Sequence, residues 1–170
     1  RLNPWEEYEV RALFWDPTST FEDWNIRAGF ASNPGSNTLF SATDATGVAV
    51  LCHPHPLHGG AMTNKVAHTL ARAFVRSGFE TLRFNFRGTE LSEGEFDHGK
   101  GELDDALAAI DWMRARHGSY PLWLAGFSFG GAMAVKAAAA THVDGLISVA
   151  PAISRFAEGL ESQPDCRWLI

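Results

Sequence analysis

The chain has 170 residues, enough for one domain with a substantial core, and its 45% hydrophobic and 20% charged residues are typical of a globular protein. The net charge of −6, without a block of basic residues, argues against a nucleic acid or an anionic membrane as a partner. Its apolar runs are too short to span a bilayer. Because Cys52 and Cys166 have no Cys or His at zinc-ligand spacing, we expect reduced thiols in a cytoplasmic protein that needs no metal or other cofactor.

Residues 1–46 are the least regular part of the sequence. Within them, Tyr8–Trp15 alternates enough between apolar and polar residues to predict an antiparallel strand. The composition of residues 31–38 predicts a loop.

From residue 47 onwards, apolar runs alternate with amphipathic stretches. Strands are predicted at 47–52, 80–86, 121–125 and 145–149, helices at 64–77, 102–117 and 129–140, and another strand from about 167. This alternation predicts a mostly parallel sheet with helices on both faces, a three-layer α/β/α sandwich in a single domain spanning 1–170. Because the last residues resemble a buried strand, we expect a C-terminal portion to be missing.

The run Gly126-Phe-Ser-Phe-Gly130 lies between a predicted strand and a predicted helix. In that context Gly-x-Ser-x-Gly is typical of a nucleophile elbow, a tight turn that exposes the serine at the carboxyl edge of the sheet. The alternative is a glycine-rich turn with an incidental serine, but the glycine spacing of a dinucleotide site and the Lys of a Walker loop are both absent. We therefore predict Ser128 as a nucleophile.

Two backbone amides are candidates for an oxyanion hole. The N–H of Phe129 begins the helix after Ser128, and a second donor is expected from the loop after the first parallel strand. In that loop Pro54 and Pro56 cannot donate, and they hold His55 in an extended conformation. We predict His55 as the second donor, with Leu57 as the next choice.

Three histidines within six residues, His53, His55 and His58, also raise the possibility of a metal site. A proline-spaced loop rarely brings three imidazoles together, and no carboxylate lies nearby in sequence, so we predict no metal. For His53 and His58 we expect ring nitrogens hydrogen-bonded to the backbone.

A long polar loop, 87–99, leaves the second parallel strand at the same edge as Ser128. It could line a pocket or be a solvated acidic loop. We expect Arg87 to pair with one of the loop's own carboxylates and to hold its shape.

Four motifs in order resemble a bacterial group of small α/β-hydrolases related to dienelactone hydrolases and serine esterases. They are His53-Pro-His-Pro-Leu-His-Gly-Gly-Ala-Met-Thr-Asn-Lys-Val66, Phe84-Asn-Phe-Arg-Gly88, Phe96-Asp-His-Gly99 and Gly126–Gly130. The resemblance covers about residues 47–170. The family loop usually reads Arg-Gly-x-Gly-x-Ser, whereas Glu90 stands here in place of the second glycine.

The resemblance implies a Ser–acid–His triad in that chain order. Its acid would follow the strand that begins near Arg167 and its histidine would come later, so the chain contains neither. His142 and Asp144, like Asp111 and His117, are predicted at the opposite edge of the sheet. The chain alone is therefore expected to be nearly inactive.

The predicted function is cleavage of an ester-type bond in a small-molecule acyl substrate through an acyl-enzyme at Ser128. Two alternatives stay open at this point. One is a non-catalytic binding protein on the same fold, and the other is an acyltransferase that uses the same serine.

Overall fold

A computed structural model of the chain describes residues 37–40 and 44–170. The strand predicted at 8–15 lies outside these residues. The strands are β1 Asn37–Phe40, β2 Gly47–Cys52, β3 Phe79–Phe84, β4 Leu122–Phe127, β5 Gly145–Val149 and β6 Arg167–Leu169. The α-helices are α1 Lys65–Arg76, α2 Gly101–His117, α3 Phe129–Ala140 and the short α4 Ile153–Phe156, and a 3₁₀ turn spans Pro56–His58.

The described strands form one sheet in the order β1-β3-β2-β4-β5-β6. Strand β1 pairs antiparallel with β3, and every other neighbouring pair is parallel. From β2 the chain goes first to β3 on one side and then to β4 on the other side. The loops after β2 and β4 therefore border the crevice at which open α/β sheets bind ligands. The predicted mostly parallel α/β/α sandwich is confirmed.

Apolar side chains on both faces of the sheet account for the layers. Helices α2 and α3 pack on one face, where Ile110 and Met133 are fully buried against Val50 and Leu124. Helix α1 covers part of the other face through Ala71 and Phe74. Within the described residues, no helix is both long enough and apolar enough to cross a membrane.

Helix α1 begins one residue later than its sequence pattern predicts. Asn64, not Thr63, is its N-cap, and the Asn64 side chain accepts hydrogen bonds from the N–H groups of Val66 and Ala67. Both residue types cap helices, so the composition alone did not distinguish them.

The turn from β4 into α3 brings backbones into direct contact. A Cβ atom on Gly126 would lie 2.2 Å from the carbonyl oxygen of Gly130. A Cβ on Gly130 would lie 2.3 Å from the carbonyl oxygens of both Cys52 and His53, at the end of β2. Only glycine fits at these two positions. The main chains of β4, α3 and the end of β2 therefore lie in direct contact.

We expect Gly130→Ala to prevent folding or to lower the free energy of unfolding by at least about 3 kcal/mol, because the new methyl group meets main-chain atoms that cannot move aside. The control is Gly118→Ala, where φ is −53° and the nearest atom to the new Cβ is 3.2 Å away. We expect that change to stay within about 1 kcal/mol. Urea unfolding of both variants checks this, and equal effects would contradict it.

Candidate active site

Ser128 occupies a strained turn between β4 and α3. Its φ of 55° and ψ of −115° lie in a region that residues with a side chain rarely adopt. The turn is held from the next loop, since the Ser128 N–H donates to the Val149 carbonyl and the Ser128 carbonyl accepts from Ala152 N–H, both at 3.0 Å. The side chain is half-buried. No described residue is hydrogen-bonded to its hydroxyl, which leaves the Oγ atom open to another group.

The two amides predicted as oxyanion donors lie on adjoining segments. Phe129 is the first residue of α3, and the contact of Gly130 with the end of β2 brings the 53–60 loop against the start of that helix. Among the described residues, none accepts a hydrogen bond from the N–H of Phe129 or of His55. The N–H of Leu57, the second choice, donates to His55 Nδ1 at 3.3 Å and is therefore engaged.

Aromatic rings surround the start of α3. The His55 ring centroid lies 4.8 Å from that of Phe96, 5.1 Å from Phe129 and 5.8 Å from Phe156. Three loops, those after β2, β3 and β5, thus meet on the Phe129 ring, beside Ser128. Burial, and next to it the positive charge of neighbouring basic groups led by His58, lowers the pKa of His55.

His53 links two loops of the site. Its ring is fully buried and its Nε2 accepts the N–H of Phe86, just after β3, at 3.0 Å. Because an amide N–H can only donate, Nε2 must be unprotonated and Nδ1 carries the proton in the neutral ring. Nδ1 then donates to the Pro54 carbonyl at 2.7 Å. The expectation of backbone bonding is thus met at His53, where it joins the ends of β2 and β3.

The 87–99 loop is anchored to α2 through the side chain and the backbone of Arg87. Arg87 pairs with Asp105 of that helix, with Nη2 to Oδ1 at 2.6 Å, and its own N–H donates to Asp105 Oδ2 at 2.9 Å. The expectation that Arg87 pairs with a carboxylate of its loop is therefore wrong. Burial raises the pKa of Asp105 to about 6, although the bonds from Arg87 oppose this shift.

Further bonds fix the same loop. The fully buried carboxylate of Glu102, also on α2, accepts the N–H groups of Asp97 and Gly99, each at 2.7 Å. Glu90 has φ of 52°, and its carboxylate accepts from Asn85 Nδ2 at 2.7 Å. These bonds fix the conformation of the loop at the carboxyl edge of the sheet.

Two of the residues predicted at the opposite edge, Asp144 and His117, make side-chain bonds there, away from Ser128. Asp144 precedes β5 and accepts the Leu122 N–H at the start of β4, at 2.8 Å. His117 Nε2 lies 3.0 Å from Glu80 Oε1, near the start of β3. In residues 37–40 and 44–170, no group of three or more His, Cys, Asp or Glu side chains is placed to hold a metal ion.

The buried ring of His53 predicts a pH-dependent contribution to stability. Burial lowers its pKa from 6.5 to about 4, so between these values the unfolded chain binds a proton that the folded chain does not. The contribution of His53 to the free energy of unfolding is therefore complete above pH 6.5. It falls by about 3 kcal/mol as the pH drops to about 4.

We therefore expect the unfolding free energy lost in His53→Gln to be largest near pH 7.5 and to shrink as the pH falls toward 4. Urea unfolding of both proteins over this range measures the difference. Asp105 also makes stability depend on pH, over an overlapping range and with the opposite sign. Because both proteins contain Asp105, its contribution cancels in the difference between them. A difference that does not change with pH would contradict the assignment.

Comparisons with known proteins identify the family and agree with the fold. A family model described as serine aminopeptidase, S33, matches residues 50–163. An α/β serine hydrolase homologue from Coxiella burnetii is 42% identical, covers 78% of this chain and 64% of its own, and superposes with a TM-score of 0.72. A serine hydrolase without a lid from Xanthomonas campestris is 41% identical, with 78% and 62% covered and a TM-score of 0.71.

The protein RP471 of Rickettsia prowazekii is 42% identical over 90 residues, which are 52% of this chain and 38% of RP471. The chain thus spans less than two thirds of each of these relatives. The family match covers well over half of the chain, and it includes the elbow, the 53–60 loop and the 87–99 loop. The chain belongs to the serine aminopeptidase S33 family of α/β-hydrolases.

Proposed function

We propose that the protein containing this chain is a serine hydrolase that cleaves an ester-type bond of a small-molecule acyl substrate through an acyl-enzyme at Ser128. The observation that carries the proposal is the turn at Ser128. It combines backbone strain, a hydroxyl without a hydrogen-bond partner among the described residues, and the adjoining Phe129 amide. The His55 amide comes from a loop that packs against the start of the same helix, and no described residue engages either amide. Strain of this kind persists where the surrounding structure enforces it, often at active sites.

The proposed reaction has two steps. Ser128 Oγ attacks the substrate carbonyl carbon as its proton passes to a base, and the N–H groups of Phe129 and His55 bind the resulting oxyanion. Collapse of this intermediate breaks the ester bond, and the base returns the proton to the leaving alcohol. Water then attacks the acyl-enzyme in the same way, which releases the acid and regenerates Ser128.

We propose that the triad acid and histidine come from residues that follow β6. Strand β6 pairs parallel with β5, as the sequence predicted, so its carboxyl end lies at the same edge as Ser128. A residue placed directly after Ile170 would start from that edge. The shorter span of this chain compared with its relatives supports this proposal, and the chain alone is expected to be nearly inactive.

We propose a small acyl group with apolar character, because the rings of His55, Phe96 and Phe156, which pack around Phe129, come from the loops next to the turn at Ser128. We propose no role for metal, nucleic acid or membrane, and we place the protein in the cytoplasm. The family description favours a second candidate, cleavage of an amide bond at a peptide N-terminus, by the same nucleophile.

Labelling the full-length protein with a fluorophosphonate tests the nucleophile. We expect one phosphonyl adduct on Ser128, identified by mass spectrometry, with loss of labelling in Ser128→Ala. Ser119→Ala is the matched control, because Ser119 is exposed at the opposite edge of the sheet. It should label like the unsubstituted protein.

A panel of p-nitrophenyl esters and aminoacyl p-nitroanilides then separates the two candidate reactions. We expect hydrolysis of short and aromatic esters, and turnover of the anilides alone would favour the peptidase. Folded full-length protein that stays unmodified at Ser128 would instead support a non-catalytic binding protein. Transfer of the acyl group to an added alcohol or amine in preference to water would identify an acyltransferase.

A further inference from the structure

The bond from His53 to Pro54 acts on the peptide unit that carries a proposed oxyanion donor. The carbonyl of Pro54 and the N–H of His55 belong to the same peptide group. That group is trans, as are all peptide bonds in the described residues. In a trans peptide the C=O and N–H point in opposite directions. A hydrogen bond that fixes the Pro54 carbonyl therefore also fixes the direction of the His55 N–H.

The imidazole is itself held rigidly. Its Nε2 accepts the Phe86 N–H at 3.0 Å, its Nδ1 donates to the Pro54 carbonyl at 2.7 Å, and its ring packs on that of Phe86 with centroids 4.8 Å apart. One planar side chain thus connects the backbone after β3 to the peptide between residues 54 and 55. A neutral histidine can make both bonds because its two nitrogens have opposite roles.

Other contacts close the space around this peptide. A Cβ on Gly60 would lie 2.1 Å from the Pro54 carbonyl oxygen, so the returning loop passes directly over it. The His55 carbonyl accepts the N–H groups of His58 and Gly60, at 3.1 and 3.0 Å. These contacts confine the loop around residue 55, and the His53 bond adds a direct constraint on the Pro54 carbonyl itself.

We propose that His53 is a positioning residue of the proposed hydrolase, which through its Nδ1–H bond to the Pro54 carbonyl aims and polarises the His55 N–H toward the oxyanion. This inference rests on the proposed function. A hydrogen bond accepted by a peptide carbonyl strengthens the donor at the other end of the same peptide. Burial keeps His53 neutral, with a pKa of about 4, so both bonds persist over the usual working range of pH.

Two substitutions separate the two bonds of His53. In His53→Asn the side-chain amide lies where Nδ1 was, so it can still donate to the Pro54 carbonyl but cannot reach Phe86. In His53→Gln the terminal group lies where Nε2 was, so it can accept the Phe86 N–H but loses the bond to Pro54. Each variant loses one bond that His53 makes, and we expect both to be less stable.

The experiment measures kcat and KM for a p-nitrophenyl ester, and the rate of fluorophosphonate labelling at Ser128, in full-length protein at a temperature where both variants are folded. We expect His53→Gln to lower kcat and the labelling rate by about 10- to 100-fold with KM within about twofold, because an oxyanion donor acts in the transition state. We expect His53→Asn to keep kcat within about threefold.

The outcomes separate the inference from the proposed function. Equal losses of kcat in the two variants, or losses that follow only their loss of stability, would overturn the positioning role of His53. Labelling of the unsubstituted protein at Ser128 would still uphold the proposed hydrolase. Absence of labelling at Ser128 in the unsubstituted protein would overturn both. If His53→Asn keeps kcat and the labelling rate while His53→Gln loses them, both the positioning role and the proposed hydrolase are supported.

Discussion

Three backbone segments meet at the turn between β4 and α3 without room for a single side chain, and the rest of the site depends on this contact. Gly126 touches Gly130, and Gly130 touches the carbonyls at the end of β2. Ser128 lies inside this contact, in the turn with φ of 55° and ψ of −115°. The contact also sets the distance between the start of α3 and the 53–60 loop. In the proposed mechanism, the Ser128 hydroxyl and the amides of Phe129 and His55 act on one carbonyl, and this requires that the backbone segments stay in contact.

Buried polar side chains fix the loops that border this turn. His53 joins the ends of β2 and β3, and Asp105 and Glu102 of α2 hold the 87–99 loop by its backbone N–H groups and by Arg87. All three are fully buried, and an unpartnered polar group there would cost about 1–3 kcal/mol, so each bond strongly favours one loop conformation. A site assembled from loops needs such constraints, because loops lack the regular hydrogen bonds that hold strands and helices in place.

The sequence predicts what local pattern determines. The apolar runs located the parallel strands, and the spacing of Gly126 and Gly130 around Ser128 predicted the tight turn between strand and helix, because five consecutive residues form that turn. The role of Ser128 as a nucleophile stays a prediction. Contacts between residues far apart in the chain could not be predicted from local sequence patterns. Arg87 was expected to pair within its own loop, whereas its partner Asp105 lies 18 residues further along the chain, on a helix. His53 was expected to bond backbone, but its partner Phe86 is 33 residues away. Glu90, which replaces a family glycine, has the positive φ of 52° that a glycine adopts freely, and its bond to Asn85 offsets the strain.

In the proposed mechanism, Ser128 and the amides of Phe129 and His55 act on one carbonyl. The most direct measurement is a crystal structure of the full-length protein with a phosphonate bound covalently to Ser128, because the phosphonyl oxygen occupies the place of the oxyanion. We expect that oxygen within about 2.7–3.1 Å of both amide nitrogens, with the His53 bond to Pro54 retained. A phosphonyl oxygen that contacts neither amide, or that is bound by other donors, would contradict the account.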